Sequence, residues 1–338
     1  MDVRHHKELH RRFSGPESAL ALTPHQVVAR LADVEIPEAR YRSARPNRHR
    51  GLKGWTVDIG LFNMNAGPCS WPDGAERIAR LAEELNYESL WMGEHVVVPS
   101  PRVPPSPIEP TARMLDPLVA LSFLAAVTER ILLGTGIIIL PQRNPLILAK
   151  QVASLDVLSH GRLLLGIGVG YLEPEFRAIG VPLTDRGTRS DEYLVAMRRL
   201  WTDDEPAFDG KYASFSGIDA HPRPATPGGP PVIVGGSTPA AFRRAVSSGH
   251  GWYGFALTPE DSERAIAGLR AAAERVERAD TLGTLSISVT PRGHVDAAAA
   301  ANYADLGVDR LVLLPPRAED IEVWAQYVSD HAPGQLLR

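Results

Sequence analysis

The sequence predicts an α/β chain that closes into a (β/α)8 barrel of the TIM type, and three observations carry that expectation. From Val57 onward, apolar runs of strand length alternate eight times with segments of helical spacing. The repeat fills roughly the ~250 residues that one such barrel needs. Its clearest unit, ILLGTGIIILPQRNPLILAKQVASLDVLSHGRLLLGIGVG from Ile131 to Gly170, sets two apolar runs around one amphipathic segment, as strands covered on both faces require. A doubly wound open sheet is the runner-up on the same pattern.

In order, Val57–Phe62 is the first strand and Asp73–Asn86 the first helix, with Ile78, Leu81, Ala82 and Leu85 along one face. Ser89–Met92 and Pro117–Val127 form the second unit. Ile131–Leu140, Pro145–Leu158 and Leu163–Val169 supply strand three, helix three and strand four, with Asn144-Pro145 as N-cap and first helical position. The series continues through helix Asp185–Trp201, strand Pro231–Val234, helix Pro239–Ser247, strand Gly251–Phe255 and helix Pro259–Ala279. Leu285–Val289, Val295–Leu306, Arg310–Leu314 and Ala318–Val328 close it. Three connections exceed a simple turn. Val96–Asp116, with six prolines, follows strand two, and Tyr171–Thr184 follows strand four. Both fall where barrels carry their active sites, so they read as a lid or substrate wall. Asp203–Pro230 precedes strand five, and its Phe208-Asp209-Gly210-Lys211-Tyr212 suggests a hairpin that extends that strand.

Residues 1–54 differ in character. They hold 11 Lys+Arg against 6 Asp+Glu, a net of +5 in a chain whose total is −4. They read as a basic, partly disordered extension, with a short helix after Thr23-Pro24, and residues 55–338 as the barrel. A docking or nucleic-acid arm and an over-long start are the other readings of that segment. The overall charge makes no case for nucleic acid or a membrane surface, and no apolar run reaches the ~18 residues of a membrane helix. Arg11-Arg12-Phe13 lacks the apolar stretch that a secretion signal needs behind it. A single cysteine, Cys69, excludes an intramolecular disulfide and fits the cytoplasm.

Several motifs bear on chemistry. Gly166 to Gly170, GIGVG, fails as a dinucleotide fingerprint because Tyr171 stands where GxGxxG requires glycine. Glycines at a barrel strand's end suit the close approach of something flat. Val232-Ile-Val-Gly-Gly-Ser-Thr-Pro ends a strand at Gly235, Gly236 and Ser237 and starts a helix at once, an arrangement for an anion such as phosphate or simply a βα turn. Glu94-His95 ends strand two on the chemical face, either as a titrating pair or as a structural one. Arg186 and Arg189, at the start of the fourth helix, are either partners for an anionic tail or surface charges. Nothing reads as HExxH, a cysteine cluster or a nucleophile elbow, so metal ligation and serine chemistry are not expected.

Taken together, these fragments resemble the bacterial luciferase-like family, particularly its members that use the deazaflavin coenzyme F420. The similarity runs from Asp58 to about Leu314. It is carried by Ile59-Gly-Leu-Phe, Leu90-Trp-Met-Gly-Glu-His, Leu133-Gly-Thr-Gly-Ile with Asn144-Pro145 after it, Gln151 to Leu163, Gly166 to Gly170, Arg186 to Trp201, and Val234-Gly-Gly-Ser. The resemblance implies a ring held at the C-terminal ends of the strands, with a non-proline cis peptide at Gly136–Ile137 behind it. It places Glu94 and His95 near the reactive side, Gly168, Val169 and Gly170 beside the ring, and Gly235, Gly236 and Ser237 on the phosphate. It also implies hydride transfer to or from a small organic substrate, and a homodimer. FMN-dependent monooxygenation is the rival reading, and a non-catalytic flavin- or deazaflavin-binding barrel a third. Pro99 stands where glucose-6-phosphate-oxidising members keep an aromatic residue, and Tyr171 where they keep an acid with Glu173 displaced behind it, which argues against a sugar phosphate.

Overall fold

In the computed structural model of the chain the described residues are 57–337, preceded by two short paired strands, Arg50–Gly51 and Gly54–Trp55. The expectations for residues 1–49, including the helix after Thr23, lie outside the described residues. Eight parallel strands close on themselves: β1 Asp58–Leu61, β2 Ser89–Met92, β3 Leu132–Thr135, β4 Leu163–Gly168, β5 Val232–Gly235, β6 Gly251–Leu257, β7 Ser286–Pro291 and β8 Arg310–Leu313. Each pairs with its successor, and β8 returns to β1 through Arg310 opposite Asp58. The barrel helices are α1 Pro72–Glu84, α2 Pro117–Val127, α3 Pro145–Leu158, α4 Arg186–Thr202, α5 Pro239–Ser248, α6 Pro259–Ala273, α7 Ala297–Leu306 and α8 Ile321–Asp330. The expected closed (β/α)8 barrel is the architecture found.

Local chemistry explains why the elements begin where they do. Proline occupies the first turn of α1 to α3 and of α5 and α6, where its missing N–H costs nothing. Asp116 and Asn144 cap α2 and α3 by accepting two backbone N–H bonds each. Inside the barrel, Trp91 is fully buried and donates its Nε1–H to Ser89 Oγ at 2.7 Å. Gly134 leaves room for it, since an added Cβ there would stand 2.6 Å from the indole. Phe62, Leu164, Ile233, Tyr253 and Val312 pack with Trp91 to fill the interior, and a larger apolar layer lies between strands and helices.

Three segments differ from the sequence expectation. The stretch after β4 holds a short helix, Glu173–Ile179, because Leu172 and Phe176 bury apolar surface and Gly180, at φ 78°, ends it in the left-handed region. Helix α6 stops at Ala273 instead of Ala279. The chain leaves the helix there so that the Arg278 guanidinium can bond the carbonyls of Val246 and Gly249 at the end of α5, both at 2.8 Å. The hairpin before β5, Phe208–Asp209 with Ser214–Phe215, does not extend that strand but forms a separate two-stranded sheet. Its turn is held by Glu192 of α4, whose carboxylate accepts from the N–H groups of Lys211, Tyr212 and Ala213 at 2.9, 2.5 and 2.8 Å.

Candidate active site

The C-terminal ends of β4 and β5 meet one side chain, Ile137, just beyond the end of β3. The Gly136–Ile137 peptide is cis, as the resemblance implies. Ile137 projects over β4 and β5: a Cβ on Gly168 would lie 2.5 Å from Ile137 Cδ1, and one on Gly235 would lie 2.9 Å from Cγ2. A Cβ on Gly166 would strike the Thr135 carbonyl oxygen at 1.7 Å, and one on Gly170, at φ 73°, would meet Ile139 and Phe176 at 2.6 Å. The space vacated by these glycines is thus filled by the protein's own side chains and backbone. The flat approach expected over Gly168, Val169 and Gly170 is, on the side where side chains would point, the approach of Ile137 and Phe176.

Glu94 is buried, with 1% of its side chain exposed. One carboxylate oxygen accepts from Ile139 N at 2.5 Å, and the other from Arg143, whose Nε is 2.9 Å away and whose Nη2 also bonds it. Arg143 in turn reaches Asp116, the cap of α2, at 2.6 Å. Burial raises the Glu94 carboxyl from its ordinary range, while Arg143 and the Ile139 N–H pull it back. With both oxygens engaged, Glu94 ties the end of β2 to the segment that follows the cis peptide. Both oxygens of the Glu94 expected to take part in the chemistry are thus held by protein donors, and Arg143, which holds one of them, carried no signal in the sequence.

His95 is oriented differently. Its Nδ1 lies 3.1 Å from Glu175 Oε2, and the other Glu175 oxygen accepts from Val96 N at 2.7 Å. A carboxylate is acceptor only, so Nδ1 carries the proton and Nε2 is left for other partners. The nearest is the Tyr171 hydroxyl at 3.5 Å, with the two rings edge to face. Glu175 is 1% exposed, and Tyr171 is 51% exposed. Burial, with the Glu175 charge behind it, raises the Tyr171 phenol. The sequence reading noticed Glu173, but that side chain pairs on the surface with Arg177 at 2.9 Å. Glu175 escaped it because its place is set by the short helix, where two residues, about half a turn, separate it from Glu173 and turn it to the other side, against His95.

At β5, Gly236 has φ 112°, and Gly236, Ser237 and Thr238 are exposed at the start of α5, which Thr238 caps through Ala241 N. Trp252 Nε1 donates to Gly236 O at 2.7 Å and fixes the turn. The Gly235–Ser237 turn therefore opens beside Ile137, and its exposed backbone can meet an anion. Arg189 is bound to Asp185 through two bonds of 3.2 and 2.9 Å and lies 4.3 Å over the Tyr212 ring of the hairpin turn. Asp185 takes part in that pair and makes no cap bond.

Apolar side chains surround this mouth. Val96 and Val97 follow β2 with 51% and 44% exposure, and Phe255 on β6 is 49% exposed. The β6 register shifts between Gly254 and Leu257, where Ala256 adopts φ 55°. That bulge turns Phe255 outward over Phe62, at 5.2 Å between ring centres. Burial pushes the Cys69 thiol up, away from the thiolate form that reacts. Among the described residues, no group of three or more His, Cys, Asp or Glu is placed to hold a metal. No helix among them is long and apolar enough to cross a membrane.

A closed parallel barrel with an oriented histidine and an apolar mouth at the strand ends is built as barrel enzymes are. A profile of the luciferase-like monooxygenases matches residues 63–337. An uncharacterised protein of Mycobacterium tuberculosis is 33% identical over 286 residues, 80% of this chain and 94% of that one. An F420-dependent glucose-6-phosphate dehydrogenase of Intrasporangium calvum is 33% identical over 208 residues, 59% of this chain and 56% of its own. Among solved structures, a monooxygenase from Streptomyces bottropensis superposes with a TM-score of 0.66 at 22% identity, covering 83% of this chain and 99% of the other. The chain belongs to the luciferase-like monooxygenase family and is an oxidoreductase of that family.

Proposed function

We propose that this oxidoreductase works with coenzyme F420 and moves a hydride to or from a small organic substrate. The observation that carries the reading is His95, held by Glu175 at Nδ1 so that Nε2 is left for other partners, with the Tyr171 hydroxyl at 3.5 Å. The 33% identity to an F420-dependent dehydrogenase supports the deazaflavin over FMN. In this reading Gly235, Gly236 and Ser237 hold the cofactor phosphate by backbone N–H groups, with the α5 dipole behind them. Ile137 backs the ring, and Gly168, Val169 and Gly170 shape the strand end beside it. Bound there, the deazaflavin supplies the carbon that takes or gives the hydride. The chain's own residues do the rest. Val96, Val97 and Phe255 exclude water and grip an apolar substrate body, His95 handles a proton near the reacting carbon, and Glu94 with Arg143 keeps the frame in place. Pro99 and Tyr171 speak against a sugar phosphate as that substrate.

The test is reconstitution of the purified protein with F420 and with FMN, followed by absorbance and fluorescence titration. Saturable F420 binding without FMN binding is expected. FMN uptake in its place would transfer the assignment to flavin-dependent monooxygenation. Uptake of neither would remove the cofactor assignment altogether. A homodimer and a cytoplasmic setting complete the proposal; light scattering on the same sample reads the first, and fractionation of the source cells reads the second.

A further inference from the structure

The side chains Glu175, His95 and Tyr171 form a graded series, from fully buried acid through imidazole to a phenol half in solvent. We infer that they make a proton relay in which Tyr171 is the group offered to the substrate and Glu175 the positioning residue that sets the histidine tautomer. The inference rests on the hydride-transfer reading for its purpose, but not for its geometry.

The chemistry follows from who can donate to whom. Glu175 has two oxygens and two donors, Val96 N at 2.7 Å and His95 Nδ1 at 3.1 Å, so the carboxylate is fully used by the protein. It cannot reach substrate itself, because its side chain has no exposed surface. His95 retains 9% exposure, and its free Nε2 faces the Tyr171 hydroxyl at 3.5 Å, the long edge of a hydrogen bond. Such contacts tighten when substrate fills a site. When a substrate hydroxyl is oxidised, its proton passes to the Tyr171 oxygen while Tyr171 gives its own proton to His95 Nε2. With oxidised deazaflavin bound as acceptor, the C–H hydrogen would leave as hydride and the carbinol would become a carbonyl. The imidazolium so formed is balanced by Glu175, and reduction of a carbonyl runs the same path in reverse. The raised phenol matters here: Tyr171 stays protonated near neutrality and acts by passing a proton through, not by standing as an anion.

Nitrogen-15 NMR of the His95 ring tests this in the protein without cofactor, at about pH 8.5, about two units above the ordinary imidazole value. The resonance is assigned by its loss in His95→Gln. Wild type is expected to hold the Nδ1–H tautomer. In Glu175→Gln the amide oxygen has to serve Val96 N, which turns the NH2 group towards Nδ1 and makes Nδ1 an acceptor. The ring is then expected to change to the Nε2–H tautomer. Tyr171→Phe is expected to shift the Nε2 resonance and leave Nδ1 where it was. An Nε2–H ring in wild type, or the same tautomer in wild type and Glu175→Gln, would overturn the positioning role. An Nε2 signal indifferent to Tyr171→Phe would overturn the relay. Because no cofactor is present, these outcomes stand apart from the F420 titration, which decides the hydride reading by itself.

Discussion

Replacing Glu94 by glutamine separates a structural carboxylate from a catalytic one. The substitution keeps the shape and leaves one oxygen for Ile139 N, but it sets an NH2 group against the Arg143 guanidinium, donor facing donor. Breaking a buried ion pair on one side costs about 3–5 kcal/mol, mostly through the charge left behind. Arg143 keeps Asp116 at 2.6 Å, and that carboxylate is 41% exposed, so the lower end, about 3 kcal/mol, is expected here. Against a total stability of about 5–15 kcal/mol, urea unfolding at neutral pH resolves such a loss readily. Arg143→Met added to the Glu94→Gln background should cost less than the two single changes together, because it removes the stranded charge. The reasoning is refuted if Glu94→Gln unfolds within about 1 kcal/mol of wild type while turnover disappears, since Glu94 would then act on the reaction and not on the frame.

Other outcomes follow from the same geometry. His250, whose Nδ1 accepts from Val232 N at 3.0 Å, is lowered to about 4 by burial and by Arg198 and Arg278. The unfolded chain takes up its proton first as pH falls. Stability is therefore full above about pH 6.5 and is lost progressively towards pH 4, by about 2 kcal/mol after allowance for partial exposure. Urea midpoints at pH 7 and pH 4.5 should show a loss in wild type that is smaller in His250→Gln; an equal loss in both would point to other groups. Gly166→Ala must displace the Thr135 carbonyl, whereas Gly168→Ala meets only the movable end of Ile137. Thermal unfolding should register about 3 kcal/mol or more for the first and about 1 kcal/mol for the second. The reverse order would mean that Ile137 is the more rigid neighbour.

The sequence by itself determined the closed barrel, the mouth at the strand ends and the family. Strand and helix periods, proline at helix starts and caps such as Asn144 act over a few residues, so they are visible in a linear reading. It also marked Glu94, His95 and the Gly235–Ser237 turn as belonging to that mouth. Only the tertiary structure shows which partners hold them. Glu94 and His95 are chain neighbours with the same apparent promise, yet one is neutralised by Arg143, 49 residues on, and the other is oriented by Glu175, 80 residues on. The glycines of β4 likewise looked ready for a ligand, and what meets them first is Thr135 of β3 at Gly166 and Ile137, just beyond β3, at Gly168. Such partners depend on closure of the barrel, which brings β2, β3 and β4 side by side. A side chain's charge and hydrogen bonding follow from what closure places against it, and no local spacing encodes that.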